Sequence, residues 1–423
     1  MPIFFILAVS LASLLSAAAE SFPVAASKKG LQVQMVDDAL ALGVKHAAIN
    51  INLTGLADLK GDTNNLVWKS EGREFRFQRG YLAGLDRQIK PLSDRGVVVY
   101  LIVLTYASGN PEVNRLVLHP KYDAKAPNGL GAFNTVTEEG RQWFTACLEF
   151  LAARWSRPDR QFGRVAGYII GNEVNSHWWW SNMGRVGMEE FADDYLRTVR
   201  LMHGAIRRQA PWPRVYLSLE HHWNIRYAAG DDRQAFAGRP FLEYFARQAR
   251  RQGDFDWHLA FHPYPENLFE PRFWRDKTAT PNADTPRITF KNLEVLEAFL
   301  RQPALLYQGQ PRRVILSEQG FHTPDGPDGE IRQAAAYCYA YKKVERLELI
   351  DAFILHRHVD HAKEGGLRLG LWRNQPGSIS TPAAKKRIYD CFRLADTPQW
   401  REAFQFALPV VGLANWEEAG TAR

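Results

Sequence analysis

The sequence predicts one large (β/α)8 barrel of the α/β class, and two observations lead to this fold. First, short runs rich in apolar residues recur along the 423-residue chain and are typical of buried strands. Second, stretches with the helical period lie between these runs. Continuous apolar strands joined by helices indicate a parallel sheet that is covered on both faces, and eight such units close a barrel.

The strands and helices alternate in order along the chain. The first unit is "KKGLQVQ" (28–34) followed by the helical "MVDDALALG", and the later strands are more apolar. The remaining strands are predicted at residues 44–53, 97–104, 165–171, 214–220, 257–264, 312–318 and 351–358. The clearest helical patterns occupy residues 138–155, 188–209, 241–252 and 330–347. A doubly wound open sheet is the alternative, but no strand is followed by a glycine-rich phosphate loop.

The two ends of the chain differ from the barrel. Residues 1–19 have an apolar centre and end in small residues, with Ala17 and Ala19 placed for cleavage, which is typical of an export signal. We therefore expect an exported protein with a barrel over residues 20–393 and an extension packed on it at 394–423. No other segment approaches about 18 consecutive apolar residues, so no stable membrane partner is expected.

The composition narrows the classes of partner. The net charge of +7 is scattered along the chain with no block of Lys and Arg, so we expect no nucleic-acid partner. Aromatic residues make up 12% of the chain and include 13 Trp, which suits stacking on sugar rings. Cys147, Cys338 and Cys391 are widely spaced in predicted helices and are expected to be reduced core residues. Cys338 and Cys391 meet if their helices are neighbours.

Two glutamates stand at corresponding places in the predicted barrel. Glu173, in "GYIIGNEVN", ends the fourth strand, and Glu318, in "VILSEQGFHT", ends the seventh. The chemistry of such a barrel lies at the C-terminal ends of its strands. A single glutamate there has a structural explanation, as a helix cap or an arginine partner. Because buried carboxylates are costly unless paired, two in matching positions indicate a catalytic pair.

These motifs resemble the clan A glycoside hydrolases, also called the 4/7 superfamily. Members of that clan carry an Asn-Glu pair at the end of strand four and a second Glu at the end of strand seven, matched here by Asn172, Glu173 and Glu318. His262 and Tyr264 in "FHPYP" match a His-x-Tyr pattern that is common in the clan. The whole pattern, including "SKKGLQV" and "HRHVDHAKEGGLRLGL", looks most like a bacterial barrel family of unknown function.

The resemblance implies a retaining glycoside hydrolase that cleaves a β-linked oligo- or polysaccharide. In this assignment Glu173 is the acid/base and Glu318 the nucleophile. Tyr264 would donate a hydrogen bond to Glu318, and Asn172 would donate to the sugar 2-hydroxyl. Two carboxyl groups suffice for double displacement, so no cofactor is expected.

Further residues are candidates for substrate binding because they lie near strand ends. At least one tryptophan of "WWW", for which Trp178 is the leading candidate, is expected to reach the cleft as a stacking platform. The others are His221, His222 and Trp223 at the end of the fifth strand, Tyr106 after the third strand, and Asn50 and Asn52 where the clan often carries an arginine.

Two other functions remain open from the sequence. One is a metal-dependent barrel hydrolase that would bind its metal through His356, His358 and Asp360 in "HRHVDH". Alternating histidines on a strand point the same way. The clan often has a tryptophan at this strand end, and its replacement here leaves Arg357 and His358 to meet a polar or anionic group of the substrate. A carbohydrate-binding barrel without catalytic activity is the other alternative, although the two glutamates argue against it.

Overall fold

Eight parallel strands form a closed barrel, which confirms the predicted fold. The computed structural model describes residues 21–420, so the expected export signal lies outside the described residues. Each strand pairs with the next along the chain, and the last pairs with the first. The strands are β1 (Lys29–Gln32), β2 (His46–Asn52), β3 (Val98–Leu104), β4 (Gly167–Ile170), β5 (Arg214–Glu220), β6 (Trp257–His262), β7 (Val314–Gln319) and β8 (Ile350–Leu355).

Helices surround the barrel and connect its strands. They are α1 (Val36–Ala41), α2 (Arg79–Asp94), α3 (Pro111–Val117), α4 (Glu138–Trp155), α5 (His177–Trp180), α6 (Met188–Gln209), α7 (Gly238–Arg251), α8 (Leu293–Leu300), α9 (Gly329–Val344), α10 (Arg387–Leu394), α11 (Trp400–Phe404) and α12 (Ala407–Val411). No helix within residues 21–420 combines the length and apolarity needed to cross a membrane.

Alternation along the strands divides the core into two parts. In β3, Tyr100 and Ile102 point into the barrel, whereas Leu101 and Val103 face the helices. The ring of Tyr100 fills the barrel interior against Tyr216. A Cβ atom at Gly167 would stand 2.4 Å from that ring, so glycine at the start of β4 gives the tyrosine its space.

Two β-hairpins outside the barrel extend the predicted fold. The first pairs Leu66–Ser70 with Arg73–Phe77, and its turn residues Glu71 and Gly72 both have positive φ, as a two-residue hairpin turn requires. Its Phe77 stacks on Phe150 of α4. The second hairpin pairs Trp372–Asn374 with Pro382–Lys385 just after the last barrel strand.

The C-terminal segment packs on the barrel. Helices α10 and α12 and the turn around Trp416 contact α9. The ammonium group of Lys29 in β1 forms a buried ion pair with Asp396, so this segment is tied to the first strand. All three cysteines are buried and free, and the side chains of Cys338 and Cys391 interact across the neighbouring helices α9 and α10.

Candidate active site

Glu173 and Glu318 face each other across the mouth of the barrel. One carboxylate oxygen of each, together with a ring nitrogen of His262, lies within 4.8 Å of the others. Glu173 comes three residues after β4 ends, and Glu318 is the second-to-last residue of β7. Strands four and seven therefore deliver the two predicted carboxylates to one site.

The backbone of Glu173 is held in an unusual conformation. Its φ of 39° and ψ of 52° lie in the left-handed region, which costs a non-glycine residue about 1 kcal/mol or more. Its N–H donates to the Ser218 hydroxyl of β5 at 3.0 Å, and its carbonyl accepts the Ser176 N–H at 2.8 Å. Neighbouring elements thus fix the position of this glutamate.

His262 connects Glu173 to β7. Its Nδ1 is 2.9 Å from Oε1 of Glu173, and its Nε2 is 3.0 Å from the hydroxyl of Ser317. Burial raises the pKa of Glu173, and the negative charge of Glu318 adds to this effect although His262 opposes it. Burial alone would lower the pKa of His262, but the bond to Glu173 and the charge of Glu318 leave it raised. The pair therefore retains a proton to higher pH than either group would in water.

Tyr264 and Tyr106 lie around Glu318. The Tyr264 hydroxyl donates to Oε1 of Glu318 at 3.4 Å. Burial, followed by the charge of Glu318, raises the pKa of each tyrosine. Both phenols therefore remain protonated donors near the second carboxylate.

A second polar cluster lies at the edge of the mouth, on residues from β1, β2 and the turn after β8. The side chain of Gln32 donates to Asn50 at 3.2 Å and contacts Nδ1 of His356. Glu364 accepts from His356 at 2.5 Å and from Arg357 at 2.9 Å. Burial would raise the pKa of Glu364, but these two partners lower it to about 2. The negative charge of Glu364 also reaches Tyr264, so the cluster borders the glutamate pair.

Two groups of side chains have the spacing of metal ligands within residues 21–420. One is the site of Glu173, His262 and Glu318, and the other is Glu220, His221 and His222. In the second group both carboxylate oxygens of Glu220 already accept hydrogen bonds from protein donors. That group is therefore a hydrogen-bonded network rather than an open coordination sphere.

Comparisons with known proteins identify the family of this chain. Residues 21–419 match a family of unknown function, DUF5722. The chain belongs to this family. The expected likeness to a barrel family of unknown function is thus confirmed. No curated protein matches the sequence significantly.

Solved structures of glycoside hydrolases share the fold. A family 39 glycoside hydrolase from Bacteroides cellulosilyticus WH2 matches with a TM-score of 0.54 at 13% identity, over 88% of this chain and 63% of the other. A β-glucosidase from Pyrococcus furiosus matches with a TM-score of 0.51 at 15% identity, over 89% and 86% of the two chains. A family 1 β-glucosidase from Thermotoga maritima gives 0.51 at 13%, over 85% and 84%. The chain spans less than two thirds of the family 39 enzyme.

The substrate-binding candidates at the end of the fifth strand are buried in the structure. Trp223 is fully buried and packs against Phe261 and Phe299 in the core. His222 is fixed on both ring nitrogens, by Glu220 at 2.6 Å and by Arg287 at 3.4 Å. His221 is also buried. These three side chains are therefore almost inaccessible to solvent in this structure.

The structure also corrects predictions for the eighth strand. His356 and His358 follow the end of β8, so strand alternation does not align them. The fully buried ring of His358 is bonded to Asp38 at 2.9 Å and to the N–H groups of Gln34 and Met35. Asp360 binds Lys386 at 2.8 Å. The three residues of the alternative metal site therefore have separate partners, and the side chain of His358 is not exposed to solvent.

The remaining candidates divide between the mouth and the scaffold. Trp178 is 9% exposed, whereas Trp180 is half-buried and packs against the barrel interior together with Tyr106. Asn50 is exposed at the mouth, but the side-chain oxygen of Asn52 accepts the Thr54 N–H at 3.1 Å and caps a short 3-10 helix. Asn172 is half-buried directly before Glu173.

Gln32, Glu220 and Glu364 lie around the site and were outside the predictions. Glu220 ends a predicted strand just as Glu173 and Glu318 do, so its position along the chain carried a signal. Gln32 and Glu364 reach the mouth through pairing and loop folding, for which the local sequence holds no pattern.

Proposed function

We propose that this protein is a retaining glycoside hydrolase that cleaves a β-linked glycan. The observation that carries the proposal is the separation of Glu173 and Glu318, whose nearest described ligand atoms are within 4.8 Å. Retaining enzymes place their carboxyl groups roughly 5 to 5.5 Å apart, whereas inverting enzymes leave roughly 6.5 to 9.5 Å for a water molecule. The short separation favours direct attack by a carboxylate.

The surroundings of the two glutamates assign their roles. Glu173 is the group whose pKa is raised by burial, so it is the acid that protonates the leaving oxygen. Glu318 accepts the hydrogen bond from Tyr264 and attacks the anomeric carbon as a carboxylate. A bond forms between Glu318 and the sugar while the glycosidic bond breaks, and the proton of Glu173 moves to the leaving oxygen.

The same pair supports the second step. In the covalent intermediate Glu318 is an uncharged ester, so its contribution to the raised pKa of Glu173 disappears. Glu173 then accepts a proton from the attacking water as a base. The hydroxide equivalent displaces Glu318 from the anomeric carbon and restores the original configuration.

The substrate class rests on the fold and on the mouth. The structural relatives include glycosidases and β-glucosidases by name, which favours a saccharide with a β-linkage. Asn50, Asn172, Trp180 and Arg357 offer polar and aromatic contacts around the mouth. An oligo- or polysaccharide is the proposed partner.

Export is a separate proposal. It rests on the apolar segment at residues 1–19 with Ala17 and Ala19 before Glu20. Amino-terminal sequencing of protein recovered from a bacterial periplasm or medium tests it. We expect the chain to begin at Glu20, and an intact Met1 on material confined to the cytoplasm would contradict the proposal.

A glycan panel tests the proposed activity. Wild-type protein is assayed on β- and α-linked oligosaccharides beside the Glu173→Gln and Glu318→Gln variants. Glu149→Gln is the matched control, because Glu149 is also a buried, hydrogen-bonded glutamate but lies on α4 outside the barrel. We expect hydrolysis of a β-linked substrate that each site variant lowers by about 10³-fold or more and the control preserves.

Chelation separates this mechanism from metal-dependent hydrolysis. Activity after dialysis against EDTA should equal that of untreated protein. Activity lost with EDTA and restored by added zinc, or site variants with wild-type rates, would overturn the double-displacement proposal.

A further inference from the structure

Glu220, at the end of β5, is bonded to the turn that carries Glu173. Its Oε1 accepts the Asn175 amide at 2.7 Å and the Ser176 hydroxyl at 2.9 Å. Its backbone N–H donates to the Asn175 side-chain oxygen at 3.0 Å. Asn175 and Ser176 directly follow Val174, the residue after Glu173. The turn is therefore clamped to β5 within three residues of that carboxylate.

The second oxygen of Glu220 is bonded on its other side. Oε2 accepts the His222 N–H at 2.8 Å and its Nδ1–H at 2.6 Å. Arg287 lies 3.4 Å from the other ring nitrogen of His222, so both nitrogens of this imidazole have partners. The carboxylate thus accepts four hydrogen bonds.

Glu220 is ionised although it is only 5% exposed. Burial would raise its pKa, but the hydrogen bonds from His222 and the nearby His221 lower it to about 2. Its charge in turn contributes to the raised pKa of Glu173 and of His262. A fixed negative charge therefore stands behind Glu173, whose pKa it helps to raise.

The geometry of β5 places the Glu220 side chain on the inner face of the barrel, the face that carries Ser218. The hydroxyl of Ser218 accepts the N–H of Glu173 at 3.0 Å from inside the barrel. Glu220 is two residues further along β5, so its side chain leaves the strand on the same face. The titratable groups that face Glu173 are His262 on β6, Tyr264 after β6, Glu318 on β7 and Glu220 on β5.

We propose that Glu220 is a positioning residue for the acid/base: it clamps the turn at residues 174–176 and sets a fixed negative charge behind Glu173. This inference rests on the proposed glycosidase function. The clamp holds the strained backbone of Glu173, and the charge keeps its proton in place. Neither oxygen of Glu220 is free to touch the substrate.

The Glu220→Gln variant tests the charge with little change in shape. The alkaline limb of the pH profile of kcat/KM reports loss of the proton from the acid. Removing the negative charge lowers the pKa of Glu173 and of His262, so this limb should move to lower pH. We expect kcat to fall by about 10- to 100-fold with KM within about 2-fold, while Glu149→Gln keeps the wild-type profile.

The Asn175→Ala and Ser176→Ala variants test the clamp and keep the charge. They should lower kcat without moving the alkaline limb of the pH profile. They also test the clamp if Glu220→Gln does not fold. An unshifted limb in folded Glu220→Gln, or wild-type kcat in both Asn175→Ala and Ser176→Ala, would overturn the inference, provided that Glu173→Gln and Glu318→Gln are inactive. Full activity of those two variants would instead overturn the proposed function itself.

Discussion

Glu173 and Glu318 have the same side chain but different surroundings. Glu173 is bonded to His262 and lies near two further negative charges, those of Glu318 and Glu220. Glu318 is bonded to the Tyr264 phenol. Because one environment favours the neutral acid and the other receives a hydrogen-bond donor, two identical residues can perform opposite tasks.

Azide distinguishes the two roles. In the proposed mechanism, the Glu173→Ala variant still forms the glycosyl-enzyme from an aryl glycoside with a good leaving group, and azide replaces the water that this variant cannot activate. We expect azide to restore turnover and to give a β-glycosyl azide. With Glu318→Ala, azide should attack the substrate itself and give the α-azide. The opposite pairing of products would contradict the assignment.

Asp276 provides a prediction about stability. It is buried in the loop after β6, and burial raises its pKa to about 7. Between its unfolded pKa of 3.8 and this value the folded protein holds a proton that the unfolded chain has released. The free energy of unfolding therefore falls as the pH rises through this range.

The Asp276→Asn variant has no such proton. We expect the difference in thermal midpoint, variant minus wild type, to increase by about 2 °C or more between about pH 4 and about pH 8. Asp284→Asn is the control in the same loop, since Asp284 is fully exposed. A difference that stays constant with pH would show that Asp276 is ionised throughout.

At the scale of elements, the turn after β8 contains two histidines for which we propose different functions. His356 faces the mouth, where Gln32 and Glu364 hold it. His358 points away and shares Asp38 with Trp372 and Tyr389. The first histidine belongs to the site, and the second joins α1, the second hairpin and α10.

Alanine variants separate these functions. His356→Ala should lower kcat/KM by about 10-fold or more with a near-normal thermal midpoint. His358→Ala leaves Asp38 without one buried donor and should lower the free energy of unfolding by about 1–3 kcal/mol. Assays on the folded fraction and denaturant titrations measure both, and equal effects of the two variants on kcat/KM would contradict this division.

The sequence predicted the regular elements better than the irregular ones. All eight barrel strands were predicted because buried parallel strands are continuous apolar runs. The first hairpin has partly exposed strands, although Glu71-Gly72 at its turn carried a local signal. Strand ends placed Glu173 and Glu318 correctly at the mouth, whereas Trp223 is also near a strand end and is buried.

At the scale of the whole molecule, the C-terminal segment packs on the outside of the barrel, against α9 and β1. Asp396 pairs with Lys29 of β1, and Arg346 donates to the carbonyl groups of Trp416 and Glu417. Phe404 and Trp416 are buried in this segment. The outside of α9 would be exposed without them.

Truncation tests this dependence. A chain that ends after residue 394 exposes apolar surface and leaves Lys29 buried without its carboxylate, a change that typically costs about 3–5 kcal/mol for the ion pair alone. We expect insoluble protein or a much lower thermal midpoint. A truncated chain with the wild-type midpoint would show that the segment is dispensable.

The central claim is that Glu318 forms a covalent bond with the sugar. A 2-deoxy-2-fluoro glycoside matched to the substrate found on the panel slows the second step, so the glycosyl-enzyme accumulates and can be digested for mass spectrometry. We predict one sugar per chain, attached to the peptide that contains Glu318, and no label in Glu318→Gln. A sugar on another residue, or hydrolysis with inversion and no labelled peptide, would contradict the account.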